Sequence, residues 1–119
     1  MDSQKFRKLA VWEKAMDLIE LLYKYTNKFP GTETFGLTAQ VRRAAVSIAL
    51  NIAEGSGAGS DKDFKGFLAI AQRSSYEVMC GIEIAKRLAY GTLKETTDLT
   101  KKCDEISAMI NGLKNYLSN

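Results

Sequence analysis

The chain has 119 residues, of which 45% are hydrophobic and 26% charged, a composition typical of one globular domain that is large enough to bury a core. This composition excludes a disordered polypeptide, and no apolar run approaches the ~20 residues of a membrane-spanning helix. The N-terminal stretch MDSQKFRKLAVW lacks the apolar core of a secretory signal, so we expect a cytoplasmic protein with no membrane partner. The net charge of +3 permits nucleic-acid binding without requiring it.

A first helix is predicted over residues 9–28. Apolar side chains recur there at helical spacing on one face, while charged residues occupy the exposed face. Pro30 is the only proline of the chain and cannot continue a helix, so a turn is expected over residues 30–33.

A second helix is predicted over residues 35–54, and it is apolar on two of its faces. One face is a continuous stripe made by Leu37, Val41, Ala44, Ile48 and Ile52. Val46, Leu50 and Ala53 make a second face apolar. Because a helix that is apolar on two sides is normally covered on two sides, we expect these three residues to contact another copy of the chain.

Capping-box patterns that start at Ser60 and Thr92 open two further helices, predicted over residues 61–89 and 93–117. The fourth helix carries a heptad seam made by Leu99, Cys103, Ile106, Ile110, Leu113 and Leu117. Sustained two-residue alternation, the signal of a strand, is not found. Four amphipathic helices joined by short loops predict an all-α fold: an antiparallel up-and-down four-helix bundle that forms a single domain over residues 1–119.

Cys80 and Cys103 both lie within helical apolar patterns, and neither has a neighbouring cysteine or histidine. We expect both to be buried small hydrophobic side chains in a reducing compartment rather than partners in a disulfide.

An enzymatic function is disfavoured, because the chain contains no histidine, the usual general base and the commonest metal ligand. We therefore expect no catalytic site, no metal and no cofactor. Carboxylate catalysis by Glu54 and Glu77 is the remaining enzymatic hypothesis.

The glycine-rich segment 55–60 is better explained as a linker than as a phosphate-binding loop, since it follows a helix and is succeeded by the acidic Asp61 and Asp63.

The basic residues support two interpretations. Arg42 and Arg43 are adjacent and point about 100° apart on a helix, so they cannot lie in one groove. Either they form ion pairs with acids of neighbouring helices or subunits, or they contribute to a surface that neutralises phosphates. The other candidates for that surface are Lys62, Lys65 and Arg73 of the third helix, together with Lys5, Arg7 and Lys8 at the N-terminus.

Phe67 and Tyr76 lie beside these cations on the third helix. Their spacing is more typical of core or subunit-interface positions than of platforms on which nucleic-acid bases stack.

Segments of the chain, among them QVRRAAVSI (residues 40–48), NIAEG (51–55) and SDKDFKGFLAIAQRSSYE (60–77), resemble the proteins encoded within intervening sequences of bacterial 23S ribosomal RNA genes. The resemblance covers roughly residues 6–90. It implies an antiparallel four-helix bundle that assembles into a ring-like homopentamer without established enzymatic activity. A related protein accompanies the reverse transcriptase of diversity-generating retroelements, where a basic pentamer surface is thought to engage nucleic acid.

Carried over by position, the arginine pair of that family falls on Arg42 and Arg43. Its asparagine and glutamate fall on Asn51 and Glu54, and its Asp-Phe pair falls on Asp63 and Phe64. The chain departs from the family where Ala49 and Leu50 replace a common Pro-Ser pair, which predicts a straighter second helix with more apolar surface.

Together these observations predict a non-enzymatic homo-oligomer, a pentamer, whose basic face binds structured RNA or DNA. The alternative hypothesis is a scaffold that presents its helices to a protein partner without binding nucleic acid directly.

Overall fold

The computed structural model describes residues 5–117. It contains four α-helices: α1 (Ala10–Thr26), α2 (Leu37–Ser56), α3 (Asp61–Arg87) and α4 (Leu93–Tyr116). Within this part of the chain each helix packs against two others, in the cyclic order α1, α2, α3, α4. This arrangement confirms the predicted all-α, antiparallel up-and-down four-helix bundle. Residues 1–4 and 118–119, which belong to the expected single domain, lie outside the described residues.

The C-terminal end of α1 lies two residues before the predicted end. The N–H groups of Lys28 and Phe29 donate to the carbonyls of Tyr25 and Thr26, so the last turn has tightened to three-residue spacing. The proline that follows Phe29 disfavours the α conformation at that residue. Two short 3₁₀ turns, Lys5–Lys8 and Gly31–Glu33, precede α1 and α2.

The start of α2 is held by Glu33 of the preceding 3₁₀ turn. One carboxylate oxygen of Glu33 accepts from the N–H of Leu37 at 3.1 Å, and the other accepts from the Tyr90 hydroxyl at 3.1 Å. Because an unpaired N–H at a helix start needs an acceptor, Glu33 caps α2 from outside the helix. The same side chain ties the α1–α2 turn to the α3–α4 turn.

The end of α3 is a Schellman motif. Tyr90 donates its N–H to the carbonyl of Ala85, Ala89 donates to Lys86, and Ala89 adopts a left-handed conformation with φ of 61°. The helix therefore ends at Arg87 rather than at the predicted residue 89.

Thr92 and Glu95 form the predicted capping box of α4. A hydrogen bond from Lys28 to Glu95, at 2.7 Å, lowers the pKa of this carboxylate below its ordinary value.

The core lies between all four helices and uses the apolar faces that the sequence predicts. Its largest fully buried aliphatic side chains are Leu18, Leu22, Ile48, Ile52, Leu68, Ile82, Ile106 and Ile110. Cys103 is also buried, as expected for a member of the α4 seam. Cys80 departs from expectation, because it lies on the exposed face of α3.

Glycines bring α2 and α3 close together at both ends of their contact. A β-carbon at Gly81 would overlap the Val41 side chain, and one at Gly55 would lie 2.8 Å from Phe64 and Phe67. Gly55 lies within α2, which runs on to Ser56 instead of ending at residue 54 as predicted. The two Phe side chains take the space that a side chain at Gly55 would need.

Replacing Gly81 with alanine is expected to destabilise the fold. Overpacking a core costs about 1–3 kcal/mol, whereas the gain in helix propensity is about 1 kcal/mol, so we expect a net loss of about 1 kcal/mol. Gly66→Ala is the matched control in the same helix, since no atom lies within 4 Å of its β-carbon position. Urea unfolding should show a gain of about 1 kcal/mol for that control. Equal stabilisation of both variants would contradict the tight contact.

Candidate nucleic-acid and subunit interfaces

Arg42 is engaged with the C-terminal end of α1. Its Nε donates to the Thr26 hydroxyl at 2.8 Å, and its Nη2 donates to the Asn27 side-chain oxygen at 3.0 Å and to the Tyr23 carbonyl at 3.3 Å. Its guanidinium also lies 4.3 Å from the centre of the Tyr23 ring. These partners are neutral, so Arg42 caps the negative end of the α1 dipole instead of forming the ion pair that one interpretation predicted.

Arg43, one residue further, has a different environment. It is exposed on the outer face of α2 and makes no hydrogen bond or ion pair with any other residue of 5–117. The adjacent arginines therefore diverge, as their 100° separation requires. Arg43 is available to a ligand, and Arg42 is available only if it releases the end of α1.

The three basic candidates on α3 do not form one cluster. Lys62 and Arg73 are exposed and point in nearly the same direction, about 16 Å apart along the helix. Lys65 is half-buried and already has an interaction partner. Arg73 lies between Ile70 and Tyr76, two exposed apolar side chains, a setting more typical of a protein contact than of a phosphate site.

The N-terminal 3₁₀ turn presents Lys5, Arg7 and Lys8 to solvent. It is held against the bundle by Phe6, whose ring contacts the edge of Trp12 with centroids 5.0 Å apart. The turn contains no acidic residue. These three cations therefore extend from an anchored segment at the end of the bundle where α3 begins.

Acidic residues share the outer surface of α2 and α3 with the basic candidates. Glu54, Asp61, Asp63 and Glu77 are all exposed there. Their charges offset those of the basic residues on the same two helices, so this surface is mixed rather than uniformly positive.

A continuous apolar groove runs between α1 and α2, with a volume of about 420 Å³. Its lining contains the three predicted interface residues Val46, Leu50 and Ala53, with Leu50 remaining 55% exposed. The other lining residues are Phe6, Trp12, Met16, Ile19 and Ala49. Sequence reasoning missed this α1 half of the groove, because the periodicity of Trp12 and Met16 is equally consistent with complete burial in the core.

Two of the positions carried over from the family have structural roles in the α2–α3 contact. Asn51 donates to the carbonyl and hydroxyl oxygens of Ser47, and the Ser47 hydroxyl lies 2.9 Å from that of Ser74. Phe64 packs beneath α2 at Gly55. Glu54 and Asp63 remain exposed, and the Asp63 N–H donates to the Ser60 hydroxyl at the start of α3.

No group of three or more acidic or cysteine side chains within residues 5–117 is arranged to hold a metal ion. Of the helices described, none is both long and apolar enough to cross a membrane.

Two comparisons relate the chain to known proteins. A model of the 23S rRNA-intervening sequence protein family matches residues 7–112. The fold is similar to the crystal structure of a protein of unknown function from the S23 ribosomal protein family of Bacteroides thetaiotaomicron VPI-5482. The TM-score is 0.79 at 24% identity, with 88% of this chain and 98% of that chain covered, a likeness that shows the fold alone. No curated protein matches the chain.

Removing the Arg42 guanidinium is expected to destabilise the bundle, while removing its neighbour is not. Hydrogen bonds that involve a charged group contribute about 1.5–3 kcal/mol each, so we expect Arg42→Met to cost at least about 1.5 kcal/mol. Arg43→Met should change stability by less than about 0.5 kcal/mol. Thermal unfolding of both variants measures the difference, and equal effects would contradict the capping role of Arg42.

The two cysteines are expected to react very differently with a thiol reagent. Burial raises the pKa of the Cys103 thiol to about 12, so almost no thiolate forms near neutral pH, whereas Cys80 is exposed. Titration with a chromogenic disulfide should modify one thiol in the folded protein and two after denaturation. Rapid modification of two thiols in the native state would contradict the burial of Cys103.

Proposed function

We propose that this chain, which belongs to the 23S rRNA-intervening sequence protein family, is a non-enzymatic homopentamer that binds structured RNA or DNA. The observation that carries the assembly is the open apolar groove between α1 and α2. A groove with an almost wholly apolar lining can receive apolar side chains of another chain, as the apolar centre of a subunit interface does. The subunit number rests on the family resemblance, because an apolar groove specifies a contact without specifying how many copies close the ring.

The nucleic-acid part of the proposal is supported by cations that lie exposed on the bundle, of which Arg7 also lies over the Phe6 ring, 5.9 Å from its centre. Arg43, Lys62 and the N-terminal trio Lys5, Arg7 and Lys8 are exposed. Repetition of these side chains around an assembly would let several weak phosphate contacts act together, which raises affinity through avidity. Such contacts carry little sequence information, so the expected ligand is structured RNA or DNA of no particular sequence.

The second candidate function is a scaffold for a protein partner. The interleaved acids on the outer surface of α2 and α3 favour it, because a mixed surface attracts phosphates less than a uniformly basic one. In that case the assembly presents helical faces to an enzyme, and the charges serve solubility and partner choice.

A charge placed in the groove is expected to dissociate the assembly. Leu50→Glu puts a carboxylate into an almost wholly apolar contact, and burial of an unpaired charge is costly. The variant should sediment as a folded monomer, with helical circular dichroism unchanged. Leu93→Glu is the control, because Leu93 is 70% exposed at the start of α4, away from the groove. An intact assembly in the Leu50 variant would remove the groove from the interface.

Binding to nucleic acid should fall steeply with salt. Each phosphate contact contributes a slope of about 0.9 log unit in affinity per log unit of salt on duplex DNA. We expect Arg43→Glu and Lys62→Glu to weaken binding and reduce this slope, as measured by fluorescence anisotropy with nuclease-treated protein, a structured RNA and a DNA duplex.

Lys101→Glu, on the exposed side of α4, is the control for the change in net charge. Equal losses in the Arg43, Lys62 and Lys101 variants would indicate a general charge effect rather than a site. Failure of the unmodified protein to bind either ligand at low salt would favour the scaffold function.

A further inference from the structure

We propose that the groove of one copy receives the outer face of α3 from the next copy. Ile70 and Tyr76 enter the groove, and Arg73 pairs with Glu13 and Glu20 along its border. This inference rests on the proposed homo-oligomer, and it identifies the second surface that such an assembly needs.

A ring with an odd number of subunits cannot be built by pairing the groove with itself. Pairing one patch with its own copy gives a two-fold contact, which closes as a dimer. A five-membered ring requires a head-to-tail contact between two different patches of the chain. The groove therefore needs a complementary patch elsewhere on the same bundle.

The position of this patch along the bundle follows from symmetry. We place the ring axis parallel to the bundle. Rotation about such an axis keeps every residue at its own height, so the groove then meets residues at its own level. Arg42 contacts residues 23–27 of α1, and Ser47 of α2 contacts Ser74 of α3. With a rise of about 1.5 Å per residue, these contacts place Trp12–Ile19 within about one helical turn of the heights of residues 69–76 on α3.

Apolar side chains are exposed on α3 at that height. Ile70 is 37% exposed and Tyr76 is 53% exposed, although both lie in the middle of a long helix. The most exposed large apolar residues of the described chain are Phe35, Leu93 and Tyr116, which lie in the α1–α2 turn or near an end of α4. Leu21, which is 39% exposed, lies near this height too, but it lines the groove between α1 and α4. Ile70 and Tyr76 are the exposed large apolar residues of α3 at the height of the groove.

The charges beside the two surfaces are complementary. Glu13 and Glu20 lie one turn on either side of the groove residue Met16, and both are exposed. Arg73 lies between Ile70 and Tyr76, at a height between those of the two glutamates. None of these three side chains has an ion-pair partner within residues 5–117. Arg73 therefore belongs to the subunit contact and not to the phosphate-binding surface.

Cysteine cross-linking tests which surfaces meet. In a Cys80→Ser background, Ala53→Cys places a thiol in the groove and Ile70→Cys places one on α3. Cys103 is buried and remains unreactive. After subunit exchange, a mixture of the two variants should form disulfide-linked dimers on mild oxidation, while each variant alone should not. The chain carrying both thiols should give a ladder that ends at the closed ring.

A charge exchange gives a second readout that does not depend on oxidation. Arg73→Glu should shift the sedimenting species from the assembly to the monomer, and adding Glu13→Arg and Glu20→Arg should restore the assembly. Arg87→Glu, near the end of the same helix, is the matched control and should leave the assembly unchanged.

The outcomes separate this inference from the proposed function. A monomeric unmodified protein would overturn the proposed assembly together with this contact. An assembled protein whose mixed variants do not cross-link, or whose Ala53→Cys variant cross-links to itself, would overturn the contact alone. An assembly unaffected by Arg73→Glu would likewise exclude α3 as the complementary surface.

Discussion

The close approach of α2 and α3 is the constraint on which the rest of the bundle depends. Val41 occupies the space that a side chain at Gly81 would need, and Phe64 and Phe67 do the same at Gly55. The contacts of α1 with α2 and with α4 are less extensive than the contact between α2 and α3. Grooves of about 420 and 400 Å³ remain on the two sides of α1, one toward α2 and one toward α4. The groove toward α2 therefore lies on the side of the bundle where the helices contact each other less extensively.

The adjacent arginines of α2 show how a single step of 100° around a helix gives two neighbouring residues different surroundings. Arg42 faces the seam with α1, where it donates to the Tyr23 carbonyl and lies over the Tyr23 ring. Arg43 faces solvent. A pair of arginines in sequence therefore divides into one residue that holds the bundle together at the end of the groove and one that is free to meet a ligand.

In the proposed assembly, different regions of the outer surface have different partners. In the proposed assembly, the groove and the middle of α3 would supply complementary apolar and charged surfaces for another copy. The N-terminal cations, Lys62 and Arg43 would remain available to bind phosphates. Glu54 and Asp63 lie close in sequence to these cations, and their negative charges make the electrostatic potential of each subunit less positive. Binding of nucleic acid would then depend on assembly, because a single subunit presents few phosphate contacts and an oligomer repeats them.

The sequence by itself determined the helices, their order and most of the core, because these follow from the 3.6-residue spacing of apolar residues and from local signals such as Pro30 and the capping box at Thr92. It also indicated the second apolar face of α2. Only the tertiary structure decided that Gly55 is helical, that Cys80 is exposed, that Arg42 caps α1, and that Trp12 and Met16 line an open groove. Each of these outcomes depends on contacts between residues distant in sequence, and helical periodicity describes one helix at a time. A side chain on an apolar face is buried only where a neighbouring helix comes close enough to cover it.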